Sequence, residues 1–401
     1  MSRNLVFCLD GTWNTPDQTD RGRIVPSNVV KVSRALSGNR LSGSNPAVPQ
    51  LLYYDTGVGT GRWQRFRGGM LGQGLFENVK EAYFALAEHY QPGDKLYIFG
   101  FSRGAYTARS LAGLIGLCGI PDRNKHDIKS VTEAAYQIYR ITPKEQEQKE
   151  AQALEHKQTY SCIDENGNAM DKVWFVGVWD TVGALGIPVN ALNWIGQRHH
   201  KFHEVTLGSH VAHAYHAIAI DERRRPFKPT LWVGDAPAPN QSVEQLWFSG
   251  VHTNIGGGYV DTGLSDRTLL WMCAKAKAAG LGFSATYLNL RLDPNYHGEL
   301  RDSMSNLYRI LRPFLRPIGD KWKSGMPNDK KKYPALGEAI HYSAKERFEH
   351  STEAHYQVHA ENLQAALENS VPVSTGLDEE RNFHLGNVKW HGDNTGPVSM
   401  N

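Results

Sequence analysis

The sequence predicts an α/β protein built on a parallel sheet, and three observations carry that prediction. Short apolar runs recur through the first 293 residues. Between them lie stretches with helical spacing, and a glycine-framed serine string, Gly100-Phe-Ser102-Arg-Gly104, stands between a run of each kind. Strands that alternate with helices form parallel sheets covered on both faces.

Taken in order, Leu5–Leu9 is a buried strand that ends in the turn Asp10-Gly11-Thr12. Val29–Leu36 is helical, and Leu51–Tyr54 is a strand running into Gly57-Val-Gly-Thr-Gly61. From Leu75 to Tyr90 the residues Leu75, Phe76, Val79, Tyr83, Leu86 and Tyr90 recur every three or four positions, an amphipathic helix. Pro92-Gly93-Asp94 stops it. Leu96–Phe99 is the next strand, and Ala105–Leu117 a small-residue helix closed by Gly119 and Pro121. A polar helical insertion near 122–172 precedes the strand Val173–Trp179, which ends at Asp180. Val243–Phe248 is a strand ending near His252, and Asp266–Lys277 a helix. Residues 1–293 therefore read as an α/β catalytic domain, and 294–401 as a basic, partly helical extension packed on the same domain.

Composition narrows the function classes. With 44 Lys+Arg against 41 Asp+Glu in 401 residues, the net charge of +3 gives no basic field for nucleic acid. A hydrophobic fraction of 40% and an aromatic fraction of 10% support a large core rather than disorder. The N-terminus has no secretory signal pattern, and no apolar stretch is long enough to span a bilayer, so the expected location is cytoplasmic in the producing cell. Cys8, Cys118, Cys162 and Cys273 are far apart, as free thiols would be.

The chemistry centres on Ser102. A nucleophile elbow holds its serine on a strained strand-to-helix turn, with small residues two positions before and after. Gly100, Gly104 and Ala105 meet that demand. The hydroxyl then stands at the positive end of a helix, where the Arg103 N–H faces a developing oxyanion. A serine needs a base and the base an orienting acid, in the chain order Ser, acid, His for α/β-hydrolases. Asp180 and His252 each follow a strand and fit that order, with Asp10 and Asp261 as alternative acids. Gly11 or Thr12 would supply the second oxyanion N–H.

Other clusters are less directed. Gly57–Gly61 has neither a P-loop lysine nor a dinucleotide fingerprint and reads as a loop beside the site. His199, His200, His203, His210, His213 and His216 crowd one region without a zinc motif, and the last three drift around an expected helix. Asp221-Glu-Arg-Arg-Arg225 reads as an ion-pair cluster on a turn. The segment 307–323 interleaves arginines with large apolar side chains, a mixture suited to peripheral contact with anionic lipid or to a solvated flank.

Phe7-Cys-Leu-Asp-Gly-Thr-Trp-Asn14, Gly57–Gly61, Pro92-Gly-Asp94, Gly100–Ala105, Gly177-Val-Trp-Asp-Thr-Val182, Ala217–Phe227 and Gly250-Val-His-Thr-Asn-Ile-Gly-Gly-Gly-Tyr259 occur in that order. Together they resemble the catalytic domain of type VI secretion phospholipase effectors of the G-x-S-x-G class, over about residues 3–280. The resemblance implies an α/β-hydrolase-like fold and hydrolysis of lipid acyl esters, a phospholipase A-type activity. By position it implies Ser102 as nucleophile, Asp180 as acid and His252 as base, without cofactor or metal. It further implies a secretion or immunity partner and delivery to a target cell's periplasm. Asn254 departs from the family pattern, which often has a carboxylate there. Two other expectations stand beside it: a metal-dependent hydrolase using Asp10, Asp180 and histidines, and a silent binding module that keeps the elbow as scaffold.

Overall fold

The computed structural model describes residues 2–11, 17–36, 48–56, 70–141, 145–182, 206–304, 308, 312–323, 331–350, 356, 360–375 and 380, with backbone alone for 70–76 and 323. Seven strands form the main sheet: β1 (Asn4–Leu9), β2 (Gln50–Asp55), β3 (Lys95–Phe101), β4 (Val173–Trp179), β5 (Val211–Ala219), β6 (Ser242–Phe248) and β7 (Glu338–Ile340). Their order is β7-β6-β5-β4-β3-β1-β2, and each neighbouring pair is parallel. Parallel neighbours need crossover connections, which is why helices alternate with the strands.

The helices are α1 (Asn28–Ala35), α2 (Met70–His89), α3 (Arg103–Cys118), α4 (Ile128–Tyr139), α5 (Gln146–Tyr160), α6 (His252–Gly256), α7 (Gly263–Ala278), α8 (Ala285–Arg291), α9 (Tyr342–His350) and α10 (Glu361–Glu368). They divide between the two faces because successive strand side chains point to opposite sides. In β1, Leu5, Phe7 and Leu9 join the core under α2–α5, where Val79, Tyr83, Leu111 and Tyr139 pack. Val6 and Cys8 join the opposite core with Val29 and Val32 of α1 and Leu269, Leu270 and Met272 of α7. Both faces of β1 are thus dry, and its run of five apolar residues follows from that.

Two features depart from the sequence reading. The expected helix through His210, His213 and His216 is a strand, β5, lying between β4 and β6. Tertiary burial on both faces overrides the local pattern there. The second departure is at the sheet edge. Glu338–Ile340, in the polar half of the chain, pairs with Gln245–Trp247 as β7. A third core lies below that edge, where Ile218, Trp247 and Ile340 meet Tyr356 and Leu363.

Candidate active site

β3 ends at Phe101 and α3 begins at Arg103, so Ser102 alone makes the turn. It adopts φ 58° and ψ −119°, a strained backbone for a residue with a Cβ. The Ser102 N–H donates to the Trp179 carbonyl at 3.1 Å, which ties the turn to the end of β4. The flanking glycines are sterically required. A Cβ on Gly104 would stand 2.0 Å from the Leu9 carbonyl oxygen, and one on Gly100 would stand 2.4 Å from the Gly104 oxygen.

Three side chains from three strand ends converge here. Ser102 Oγ is 2.8 Å from His252 Nε2, and His252 Nδ1 is 2.5 Å from Asp180 Oδ2. A carboxylate can only accept, so Nδ1 carries the proton and Nε2 is left to accept from the hydroxyl. His252 opens α6 just after β6, and its backbone N–H donates to Glu222 Oε2 at 3.2 Å. Its ring lies between Phe101, with centroids 4.7 Å apart, and the edge-on ring of Phe227 at 5.0 Å. Gly256 lets Phe101 approach α6, since a Cβ there would fall 2.0 Å from the phenyl ring.

Asp180 is completely buried, with φ at 37°. Its Oδ1 accepts from the Ala219 N–H at 3.0 Å and from Arg316 Nη1 at 2.6 Å; Oδ2 accepts from Arg316 Nη2 at 3.0 Å as well as from His252. Burial alone would push this carboxyl up, but the Arg316 guanidinium and the His252 hydrogen bond outweigh it and hold it well below the usual carboxylate range. It is therefore ionised throughout the neutral range.

The other residues named from the sequence fall elsewhere. Asp10 is buried, with Oδ2 accepting from Ser27 Oγ at 2.5 Å and Tyr54 Oη at 3.1 Å. Its Oδ1 accepts the Gly11 N–H at 2.8 Å, so that expected oxyanion donor is already engaged. Thr12 lies outside the described residues, as do Gly57–Gly61, His199, His200 and His203. Asp261 Oδ1 accepts the Gly263 N–H at 3.1 Å, at the start of α7. Of the three candidate acids, Asp180 is the one bonded to His252. Arg103 occupies the first position of α3, where helix N–H groups have no acceptor within the helix. Burial lowers its guanidinium to about 10, which leaves it cationic near neutrality.

Asn254 Oδ1 accepts the Val251 N–H at 3.3 Å, and its Nδ2 donates to the Glu299 carbonyl at 3.0 Å. A carboxylate would lose that second bond. His210 Nε2 is 2.8 Å from the Ala112 carbonyl oxygen, His213 packs edge-on to Trp174, and His216 Nε2 accepts the Thr181 N–H. Among the described residues no three His, Cys, Asp or Glu side chains are grouped to hold an ion.

The sequence reading missed Arg316 and Glu222. The interleaved pattern of 307–323 places Arg316 toward lipid or solvent; in the structure it is turned inward and fully buried. Glu222 does form the expected ion pair on its turn, chelated by Arg224, but its second task is to hold the His252 backbone. Neither role leaves a signal in spacing. The nearest hint for Arg316 is the pair of prolines, Pro313 and Pro317, that keep its segment out of a helix.

The sheet and the serine elbow define an α/β-hydrolase-like protein. Residues 3–275 match the family described as T6SS phospholipase effector Tle1-like, catalytic domain, and the chain belongs to that family. The uncharacterized protein YEL023C of Saccharomyces cerevisiae is 28% identical over 246 residues, covering 56% of this chain and 32% of its own length. The chain thus spans about a third of that relative. Among solved structures, the Tle1 effector bound to the VgrG spike of the type 6 secretion system superposes with a TM-score of 0.43 at 14% identity, covering 84% of this chain and 91% of that one. An uncharacterized protein from Pseudomonas aeruginosa gives 0.37 at 17% identity, with coverages of 72% and 47%. Among the described residues no helix is long and apolar enough to cross a membrane.

Proposed function

We propose that the protein is a serine carboxylic ester hydrolase of phospholipase A type, cleaving lipid acyl esters through an acyl-enzyme on Ser102. The observation that carries this reading is the unbroken hydrogen-bond line from Ser102 Oγ through His252 to the ionised Asp180, with the serine on a strained elbow. Family membership is the support for lipid as the substrate class. In the proposed cycle His252 Nε2 takes the serine proton as Oγ attacks the ester carbonyl carbon. The oxyanion forms at the N-terminus of α3, held by the Arg103 N–H and a second N–H, from Gly11 or Thr12. For Gly11 to serve, its N–H must turn from Asp10 to the substrate.

The His252 imidazolium, stabilised by Asp180, then protonates the leaving alcohol, and the acyl-enzyme remains. Water attacks it with His252 again as base, releasing the fatty acid and restoring the serine. Every proton in this route is carried by His252. Export by a type VI route, with a delivery or immunity partner and the periplasm of a target cell as destination, rests on the family alone. A lipid contact through 307–323 would run over Leu315, which is 41% exposed, because Arg316 points inward.

The test is fluorophosphonate labelling of the purified protein, read by intact mass and peptide mapping, with Ser102→Ala alongside. We expect one adduct, on Ser102, and a fall of about 10³-fold or more in ester turnover for the variant. A folded Ser102→Ala protein that keeps most of its esterase activity would refute the reading. Vesicles of defined head group and acyl position then identify the lipid cut.

A further inference from the structure

We propose that Arg316 is a positioning residue of this hydrolase, clamping the Asp180 carboxylate in the one orientation that serves His252. The proposal rests on the serine-hydrolase reading above. It goes beyond the family-matched stretch, because that stretch ends at residue 275.

Asp180 has two tasks: to stay ionised and to aim one oxygen at His252 Nδ1. Nothing in an aspartate side chain secures the second, since its carboxylate rotates freely about χ2. Arg316 meets it with both forks of a planar guanidinium, Nη1 on Oδ1 at 2.6 Å and Nη2 on Oδ2 at 3.0 Å. A bidentate pair of this kind sets the carboxylate plane, which a lysine ammonium, a single point charge, does not do. The Ala219 N–H on Oδ1 adds a third donor from β5, leaving Oδ2 for the imidazole.

The clamp is itself anchored. Nη1 also donates to the Ala219 carbonyl at 2.8 Å, and Nη2 to the Phe227 carbonyl at 2.5 Å. The Arg316 carbonyl accepts from Asn362 Nδ2 at 3.0 Å, and Asn362 donates in turn to Ile220. Phe227 is the residue whose ring packs edge-on to His252. One guanidinium therefore fixes the acid behind the imidazole and the backbone of the ring beside it. A structural ion pair would need only the charge; this one reaches two of the groups that hold the base in place, Asp180 and Phe227.

The experiment compares wild type with Arg316→Lys, Arg316→Met and Arg316→Ala, each also in an Asp180→Asn background. We expect folded Arg316→Lys and Arg316→Met to lose about 10²-fold in kcat and in the rate of Ser102 labelling, with KM little changed. Added guanidinium at non-denaturing concentration should restore part of the Arg316→Ala rate. In the Asp180→Asn background the Arg316 substitutions should cost little more, because they act through a group already disabled. Wild-type rates in the folded single variants, or losses that simply add to those of Asp180→Asn, would overturn the proposal. So would failure of even Arg316→Lys to fold, which would assign the residue to stability alone. Should the wild type not label at all, the serine-hydrolase reading fails. The low-field proton resonance of the His252–Asp180 bond then decides the clamp: lost in Arg316→Met it stands, unchanged it falls.

Discussion

His216 shows how much of the site is held from behind. It is fully buried on β5, its Nε2 accepting the N–H of Thr181, the residue after Asp180, at 3.1 Å. Nδ1 stands 3.3 Å from Gln245 Oε1, so the neutral ring donates there. Burial, and then the nearby Arg109 cation, depress its pKa to about 3. A second proton would also turn Nε2 from acceptor to donor, facing the Thr181 N–H. The sign of the effect on stability follows from linkage. Below about pH 6.5 the unfolded chain takes up a proton on this histidine, whereas the native ring stays neutral down to about pH 3. The native state therefore loses stability as pH falls through that window. The urea midpoint should drop from pH 6.5 towards 3, and His216→Gln should flatten the slope; an equal slope in the variant would exclude His216 as its source. Asp180 adds nothing there until the pH is low enough to titrate the unfolded carboxylate, near 3.9, because its folded pKa is depressed further still.

At the scale of the element, the strand–serine–helix corner is the most constrained piece of backbone. Gly104 lies against the end of β1, with the Leu9 and Asp10 carbonyl oxygens 2.0 and 2.5 Å from where a Cβ would be. Both are buried backbone atoms, one in the last residue of β1 and one in the residue after it, so relief requires α3 and β1 to separate. We expect Gly104→Ala to destabilise the protein by more than about 3 kcal/mol and to abolish Ser102 labelling. Denaturant unfolding would measure the first effect, and a native midpoint in the variant would contradict it. Strand β5 carries the opposite lesson. Its string Val211-Ala-His-Ala-Tyr-His216 has no clean alternation, and it becomes a strand because β4 and β6 leave a slot that extended backbone fills.

Across the whole molecule, the chain beyond residue 293 completes what the first part starts. It supplies β7 at the sheet edge, Tyr356 and Leu363 to the third core, and Arg316 to Asp180. A fragment ending at 293 would leave the Asp180 charge buried without its guanidinium, an arrangement that typically costs about 3–5 kcal/mol, and would uncover Trp247 and Ile218. We expect that fragment to aggregate or to bind dyes specific for exposed apolar surface, and to show no Ser102 labelling. A folded fragment that labels at the wild-type rate would place a domain boundary at that point. The Asp180–Arg316 pair spans 136 positions in sequence.

What the sequence determined by itself is local. The five apolar residues of β1, the 3–4 spacing along α2 and the glycines around Ser102 each answer to a steric or burial demand met within a few residues. They name the fold class and point to the serine. Chain order brought Asp180 and His252 into view but left Asp10 and Asp261 as rival acids. What separates them is tertiary: of the three, Asp180 is the one within hydrogen-bond distance of His252 Nδ1. The tertiary structure also turned Arg316 inward, gave Glu222 the His252 backbone, made β5 a strand and engaged the Gly11 N–H. The physical reason is common to all of these. A buried polar group takes whichever partner the packed chain delivers within hydrogen-bond distance, and that partner stands at no fixed spacing in the sequence.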